Sequence, residues 1–346
     1  LKDFDPDELE KFVLNLGEKP YRAKQIGEWI FSKYVTSFSE MTNLSKDLRD
    51  KLENYADIRS TIELIEEKKS SDTTRKYLFK LQDGNRIESV LIPDGKRYTL
   101  CISSQVGCAI GCTFCLTARV GKIRNLNSSE IIDQFLMVNK LNDYCITNVV
   151  YMGMGEPLDN LDNTVRSLKM FTDSNYIGLS PKRITVSTSG VVPKIRELGE
   201  KVCVNLSISL NAPYDELRNR IMPINKKYPI AKLLEECKKF PLPNRRFLTI
   251  EYVVIKDLND SDKDAIRLAE VLKGVKCKIN LIPFNEAYPL TYKTPSMQKV
   301  YSFQEILRSY GLNVRIRKSR GRDILGACGQ LAASYPLEKN NKRFLN

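Results

Sequence analysis

The stretch YTLCISSQVGCAIGCTFC, residues 98–115, joins an apolar run to three cysteines at the spacing CxxxCxxC. The run YTLCISS is typical of a buried strand, and Cys108, Cys112 and Cys115 follow soon after it. Parallel strand–helix folds place their active sites at this carboxyl end of the strands. Four thiolates saturate the irons of a [4Fe–4S] cluster. Three cysteines therefore predict a cluster that keeps one iron open to a further ligand.

Strand-like and helix-like segments alternate from about residue 97 onward. Amphipathic segments such as SSEIIDQFLMVNKL and IAKLLEECKKF separate six strand-like runs, which are YTLCISS, ITNVVYM, RITVSTS, CVNLSISL, FLTIEYVVI and CKINLIPF. Strands separated by helices pair in parallel through right-handed crossovers. Six strands are fewer than the eight of a closed barrel, so we predict an α/β fold with a partial (β/α)6 barrel. A final strand, NVRIRK, follows the barrel.

Two smaller segments precede the predicted barrel. Residues 1–60 carry apolar residues at helical spacing, as in KPYRAKQIGEWIFSKY, which predicts a small helical accessory domain. Residues 61–96 alternate apolar and polar residues around Asp83-Gly84, a hairpin signal, and predict a short β-ribbon. We therefore expect a helical domain, a linking ribbon and a catalytic domain at 97–346.

The composition restricts the possible chemistry. The chain has 346 residues, 42% of them hydrophobic, which is enough for one large domain and a smaller one. It contains no histidine, which excludes Ser-His-Asp triads, HExxH zinc sites and a histidine general base. Nine cysteines without a signal segment favour metal or redox chemistry over a disulfide framework. The acidic start LKDFDPDELEKF and the lack of any run of ~20 apolar residues predict a cytoplasmic protein without a membrane span.

Positive charge is in excess, with 55 Lys and Arg against 42 Asp and Glu and a net charge of +13. Such an excess favours a polyanionic partner, although lysines scattered over a solvated surface explain it as well. One basic run follows the last predicted helix, and its members are Arg315, Arg317, Lys318, Arg320 and Arg322. This run fits either phosphate contacts to an RNA or a solvated edge strand.

Polar residues stand at the ends of several predicted strands. YMGMGEP ends the second strand and contains Gly155 and Glu156. Glycine permits close backbone approach to a ligand and a carboxylate can hold an ammonium group, but a turn after a strand often needs glycine as well. Ser187, Ser209 and Asn285 lie at or just past the ends of the third, fourth and sixth strands. Polar groups at successive strand ends converge on one ligand in such folds.

Six cysteines lie outside the CxxxCxxC motif. Four stand in apolar contexts and are predicted to be small core residues, namely Cys145, Cys203, Cys237 and Cys277. Cys101 lies on the first barrel strand, and Cys328 lies in the Gly-flanked segment RGRDILGACGQLA. From the residues alone, Cys328 is either an inert thiol or a reactive one.

The motifs occur in one chain and in one order: Cys101, CxxxCxxC, GMGEPL, LSISLNAP, KINLIP and SRGRDILGACGQL. Together with the helical start, this set resembles the RlmN/Cfr family of radical S-adenosylmethionine RNA methyltransferases over nearly the whole chain. The resemblance implies a radical S-adenosylmethionine barrel, a [4Fe–4S] cluster, S-adenosylmethionine, and methylation of carbon 2 of an adenine in 23S ribosomal RNA and transfer RNA. We also expect an electron donor such as flavodoxin or ferredoxin, and a monomer.

The resemblance further implies roles for individual residues. Cys328 would carry the methyl group, Cys101 would resolve the covalent intermediate by forming a disulfide, and Glu88 would act as the base. The implied cluster ligands are Cys108, Cys112 and Cys115. The residues implied to hold S-adenosylmethionine are Gly155, Glu156, Ser187, Ser209, Leu210, Asn211 and Asn285. Many family members have His where this chain has Asn211, whose amide supplies both a donor and an acceptor.

Carbon 2 of adenine is electron-poor, so polar attack on a sulfonium methyl group fails and a radical route is required. Two alternatives remain open at this point. Enzymes of the Cfr type methylate carbon 8 of the same adenine, although GMGEPL in place of a GEAL-like form favours carbon 2. The other alternative is a non-catalytic RNA-binding module in which the cysteines hold zinc, but the chain offers no obvious fourth ligand nearby.

Overall fold

A computed structural model of the chain describes residues 1–142, 145–243 and 245–331. The last part of the predicted catalytic domain, residues 332–346, lies outside the described residues. Within the described ranges, no helix has the length and apolar character that crossing a membrane requires.

Ten strands of the described residues form one sheet, and two further strands form a short ladder. The strands are β1 (Ile62–Lys69), β2 (Arg75–Leu81), β3 (Arg86–Asp94), β4 (Arg97–Cys101), β5 (Gln105–Val106), β6 (Arg124–Asn125), β7 (Asn148–Tyr151), β8 (Ile184–Thr188), β9 (Asn205–Ser209), β10 (Leu248–Val254), β11 (Cys277–Pro283) and β12 (Asn313–Ile316). The large sheet has the order β1-β2-β3-β4-β7-β8-β9-β10-β11-β12, and β5 pairs with β6. All neighbours from β4 to β12 are parallel, which confirms the six predicted barrel strands and the final strand.

Helices connect the parallel strands and form the N-terminal part. They are α1 (Pro6–Asn15), α2 (Tyr21–Phe31), α3 (Lys46–Tyr55), α4 (Leu116–Val120), α5 (Ser128–Lys140), α6 (Leu161–Thr172), α7 (Val192–Lys201), α8 (Asp215–Ile221), α9 (Ile230–Lys239), α10 (Asp262–Val271) and α11 (Met297–Ser309). Helix α1 begins at a capping box, because Asp5 accepts a hydrogen bond from the Glu8 amide and Glu8 accepts one from the Asp5 amide. The predicted helical start of the chain is confirmed.

The predicted β-ribbon is continuous with the barrel sheet. Strands β2 and β3 form the expected antiparallel hairpin around Asp83-Gly84, and β1 adds a further antiparallel strand. Strand β3 also pairs antiparallel with β4, the first barrel strand. Glu88 lies in β3, as expected for the second strand of the hairpin. The division into three domains stays a prediction.

The N-terminal helices are tied to two crossover helices of the barrel. A buried ion pair joins Lys2 to Asp133 of α5 at 2.6 Å, and a more exposed one joins Asp5 to Lys169 of α6 at 2.6 Å. The Phe31 ring packs edge-on against Tyr176 with 5.2 Å between ring centroids. These contacts hold the N-terminal helices against α5, α6 and the segment that follows α6.

The segment that carries Cys328 runs from the β12 edge of the sheet to the β1–β2 hairpin at the opposite edge. Among the described residues, β12 pairs only with β11 and does not reach β4. After β12, the chain instead docks on the β1–β2 hairpin, where Asp323 accepts hydrogen bonds from Ser70 Oγ at 2.5 Å and from the Ser71 amide at 3.0 Å. A loop rather than backbone pairing therefore covers the open side of the barrel.

Candidate active site

Two adjoining cavities lie at the carboxyl ends of the barrel strands. The first, here called the cluster cavity, measures about 990 Å³ with its open mouth and contains the CxxxCxxC cysteines in its wall. The second, here called the thiol cavity, contains Cys101 and Cys328 in its wall. The residues shared by both walls are Met152, Ile282, Asn285, Arg317 and Cys328. Cys328 thus stands between the three motif cysteines and Cys101.

The three motif cysteines are half-buried and line the cluster cavity. Burial raises the pKa of Cys108 to about 12 and raises that of Cys112 well above its usual value, and the negative charge of Cys115 adds to both shifts. Neutral thiols are therefore favoured until cations supply compensating charge, which the irons of a cluster would do. The donor set fits such a cluster, because thiolate sulfur is its usual ligand.

The motif loop is held in place by its neighbours. The Thr113 amide donates to the Ile221 carbonyl at 3.0 Å, and Thr113 Oγ1 lies 2.8 Å from Tyr292 Oη. The Leu116 amide donates to the Gly329 carbonyl at 2.8 Å, which joins the motif to the residue after Cys328. Within the described residues, no three Cys, Asp or Glu groups converge on a position for a single metal ion. A [4Fe–4S] cluster binds each cysteine through a different iron, so its ligands need no such convergence.

Glu156 of the GMGEP turn is buried in the wall of the cluster cavity. Its Oε2 accepts a hydrogen bond from the Ser189 amide at 2.7 Å, and Oε1 accepts one from the Leu158 amide at 3.1 Å. Burial raises the pKa of this carboxyl group, and the backbone donors oppose that shift. Gly155 has φ +103°, and a Cβ there would lie 2.6 Å from Gln105 Cβ. Gly155 lines the cavity, and a larger residue at this position would also clash with Gln105.

Ser187, Ser209 and Asn285 also line the cluster cavity, as their strand-end positions predict, and so does Asn211. Leu210 is not among the lining residues, because its side chain is fully buried in the core. Its carbonyl oxygen accepts a hydrogen bond from Arg218 Nε at 3.0 Å.

Two of these lining side chains differ in how their polar atoms are used. Asn211 adopts φ +59°, a left-handed conformation that asparagine tolerates. Its Oδ1 accepts from the Val253 amide at 2.8 Å, so this side chain holds the end of β10. Asn285 Nδ2 donates to the Cys328 carbonyl at 3.2 Å, while its buried Oδ1 has no partner among the described residues. Asn285 therefore has an acceptor atom available for a ligand.

Glu88 lies outside the described walls of both cavities. Its side chain is buried on β3, where Oε1 lies 2.9 Å from Lys76 Nζ. The same Nζ donates to the Leu325 carbonyl at 3.4 Å, in the segment that carries Cys328. The role of Glu88 as a base stays a prediction.

Arg317 lies between the two cavities rather than on the outer surface. The sequence grouped it with the basic run, but β12 ends at Ile316 and Arg317 lines both cavities. Burial raises the pKa of Cys101 to about 12, the negative charge of Cys328 adds to that shift, and the Arg317 charge opposes it. The positive charge of Arg317 therefore interacts with both outlying thiols, Cys101 and Cys328. In the described residues every cysteine is a free thiol.

Arg218 is a buried cation that the sequence did not single out. It donates to the carbonyl oxygens of Ser189 at 2.7 Å and Ser209 at 3.1 Å, which ties the ends of β8 and β9 together. Burial lowers the pKa of Arg218 to about 10. An arginine in the short helix α8 gives no signal of this role in the sequence.

The core prediction for four cysteines holds for only two of them. Cys237 and Cys277 are buried, whereas Cys145 and Cys203 are exposed. The prediction was wrong for the exposed pair because they lie just before β7 and β9, outside the strands themselves.

Known proteins resemble this chain along almost its full length. Residues 1–58 match the ribosomal RNA large subunit methyltransferase N-terminal domain, and residues 102–269 match the radical SAM superfamily. The chain is 50% identical to the dual-specificity RNA methyltransferase RlmN of Geotalea uraniireducens over 96% of each chain. It is 48% identical to the RlmN of Syntrophus aciditrophicus over 98% of each chain.

A solved structure agrees with these relatives. The crystal structure of a radical SAM methyltransferase from Sphaerobacter thermophilus matches with a TM-score of 0.89 and 38% identity, over 96% of this chain and 98% of that one. Identity at this level over nearly the whole length of both chains is more than a shared fold. The chain therefore belongs to the RlmN family of radical S-adenosylmethionine RNA methyltransferases.

Proposed function

We propose that this enzyme methylates carbon 2 of an adenine in 23S ribosomal RNA and in transfer RNA, with Cys328 as the methyl carrier. The observation that carries the proposal is the position of Cys328, which lines both the cluster cavity and the thiol cavity. A methyl group on its sulfur would be accessible from both sides. The relatives named dual-specificity RNA methyltransferase support two classes of RNA substrate. Membership in a methyltransferase family sets aside the non-catalytic zinc-bearing module.

The family implies S-adenosylmethionine and a [4Fe–4S] cluster, and the cluster cavity has groups suited to both. We assign the cluster to Cys108, Cys112 and Cys115 because their three thiols line one cavity and thiolate sulfur is the usual ligand of such a cluster. Glu156 and Asn285 are assigned to S-adenosylmethionine as acceptors for its donor groups. When bound, these cofactors supply the methyl group and the one-electron chemistry that carbon 2 requires.

The two outlying thiols would act in sequence. Cys328 loses its thiol proton and accepts the methyl group, with Arg317 beside it in the wall of both cavities. The S-methyl group would lose a hydrogen atom and its carbon would join the adenine, and the ring would then lose a proton to a base such as Glu88 and one electron to the bound cofactors. The Cys101 thiolate would then attack the Cys328 sulfur. An S–S bond forms, the sulfur–carbon bond breaks, and the carbon leaves with the electron pair and takes up a proton. An external thiol then returns two electrons to the disulfide.

The RNA would enter through the thiol cavity. Basic side chains line this cavity, including Arg97, Lys318 and Arg320. Such groups hold phosphates while an adenine is splayed out of its stack and inserted beside Cys328. Binding of this kind weakens steeply as the salt concentration rises.

Product analysis tests the proposed function. Anaerobically reconstituted enzyme, expected to carry about four irons per chain, is incubated with S-adenosylmethionine, a reductant and RNA, and the RNA is digested to nucleosides. We expect 2-methyladenosine by mass spectrometry against a synthetic standard. A main product of 8-methyladenosine would assign the Cfr-type activity instead. The electron donor, the monomeric state and the cytoplasmic location stay predictions.

A further inference from the structure

Glu251 is a buried carboxylate in the wall of the cluster cavity to which neither the sequence motifs nor the proposed mechanism gives a role. It lies within β10, and only 5% of its surface is exposed. Its Oε1 accepts hydrogen bonds from Ser207 Oγ and from Asn280 Nδ2, both at 3.0 Å. Its Oε2 is buried and has no hydrogen-bond partner among the described residues. A buried carboxylate oxygen without a donor is costly, so this atom points to a donor that a ligand brings.

The surroundings of Glu251 restrict the kind of donor. The two hydrogen bonds to Oε1 come from β9 and β11, the strands on either side of β10. They fix the orientation of the carboxylate and therefore the position of Oε2. Ser209 is the direct partner of Glu251 in the pairing of β9 with β10, so the two side chains project from the same face of the sheet. Arg317 is influenced by the charge of Glu251, but the described residues include no ion pair between them within 4.0 Å. The free oxygen is therefore not satisfied by a neighbouring cation.

Glu251 and Glu156 lie far enough apart on the sheet to contact different parts of one S-adenosylmethionine molecule. Glu156 follows β7, and Glu251 lies on β10, three strands further along the sheet. At about 4.8 Å per strand, the two carboxylates reach different parts of the cavity. A buried carboxylate suits an ammonium group, so we assign the amino-acid end of S-adenosylmethionine to Glu156, in the same cavity wall as the motif cysteines. What remains is the nucleoside, whose donors are the ribose hydroxyls and one adenine amino group.

We propose that Glu251 Oε2 binds a ribose hydroxyl of S-adenosylmethionine, with Ser209 beside it, an inference that rests on the proposed function. A ribose diol offers hydroxyl donors to a carboxylate, and acidic residues bind ribose hydroxyls in dinucleotide sites for this reason. The adenine amino group fits less well, because the ring-nitrogen acceptor next to it repels a carboxylate. Glu251 would thus hold the ribose and thereby orient the 5′ carbon toward Cys328.

Equilibrium binding to the reconstituted enzyme tests this inference without any turnover. The probes are S-adenosylhomocysteine and its 2′-deoxy and 3′-deoxy analogues, measured by calorimetry with wild-type enzyme, Glu251→Gln and the exposed control Glu235→Gln. We expect wild-type enzyme to bind at least one deoxy analogue about tenfold or more weakly than the parent. In Glu251→Gln this discrimination should shrink severalfold, while Glu235→Gln should match wild type.

Wild-type enzyme that binds all three probes equally would overturn the inference, whether or not Glu251→Gln folds. Equal weakening of all three probes by Glu251→Gln would also overturn it, because a purely structural role predicts that pattern. Wild-type enzyme that binds none of the probes would refute the cofactor assignment itself. Failure of this inference is thus distinguishable from failure of the proposed function.

Discussion

Lys76 Nζ lies 2.9 Å from Glu88 Oε1, and 4% and 1% of these two side chains are exposed. The pair joins β2 to β3 beneath the segment that carries Cys328, because Lys76 also donates to the Leu325 carbonyl. Lys76 therefore links the predicted base to the backbone near the predicted methyl carrier. A buried charge of this kind is tolerated only with its partner in place.

Lys76→Met should lower the free energy of unfolding by about 3–5 kcal/mol, because it removes the cation that forms an ion pair with the buried Glu88 carboxylate. Lys68→Met is the matched control, since Lys68 lies 3.4 Å from Glu66 in an exposed pair that contributes about 1 kcal/mol or less. Urea denaturation followed by circular dichroism measures both variants. Equal, small losses would show that the buried pair does not stabilise the fold in this way.

Cys101→Ala should trap enzyme covalently joined to RNA. Without a second thiol, the sulfur–carbon bond between Cys328 and the adenine methylene carbon has nothing to break it. Denaturing gel electrophoresis with labelled RNA measures the adduct, and Cys203→Ala, which changes an exposed cysteine, serves as the control. Free RNA with unmodified Cys101→Ala protein after turnover conditions would argue against the resolving role.

The alkylation rate of Cys101 should keep rising with pH in a range where the rate for an ordinary thiol no longer rises. Burial raises the pKa of Cys101 to about 12, so its thiolate fraction still rises tenfold per unit between about pH 9 and about pH 10. A free thiol such as glutathione levels off in that interval because its pKa is about 9 or below. Mass spectrometry of iodoacetamide-treated peptides measures both rates.

The same experiment on Arg317→Met tests the source of the opposing charge. Removing the guanidinium should raise the pKa of Cys101 further and slow its alkylation at any fixed pH below that value. An unchanged or faster rate would mean that Arg317 does not act on this thiol.

Gly155→Ala should destabilise the fold more than Gly84→Ala. Both positions have positive φ, but a Cβ at Gly155 would lie 2.6 Å from Gln105 Cβ, whereas Gly84 has open space around it. We expect about 1–2 kcal/mol for backbone strain alone and about 1–3 kcal/mol more for the clash. Chemical denaturation of the two variants gives the difference, and equal losses would mean that the turn relaxes away from Gln105.

The sequence predicts the barrel well because its strands carry long apolar runs and its ligand groups follow those runs directly. The antiparallel pairing of the ribbon with the barrel could also be predicted from the sequence. Asp94-Gly95 is a hairpin signal like Asp83-Gly84, and it joins β3 to β4. Leu210 shows the limit of a motif, because adjacent residues at a strand end can point into the core or into the cavity.

Arg317, Arg218 and Glu251 could not be assigned in the same way. Their roles depend on which strands pair and which side chains face inward, and neither is encoded by local spacing. A buried arginine such as Arg218 has the same local sequence as a solvated one. Only the packed structure distinguishes Arg317 between the two cavities from its exposed neighbours in the basic run.

The central claim is that Cys328 carries the methyl group, and the mass of its peptide tests this most directly. Reconstituted enzyme is incubated with S-adenosylmethionine without RNA, digested, and analysed by tandem mass spectrometry. We predict that the Cys328 peptide gains the mass of one methylene group and loses it again when RNA is added under turnover conditions. Methylated RNA produced while Cys328 never gains that mass would contradict the account.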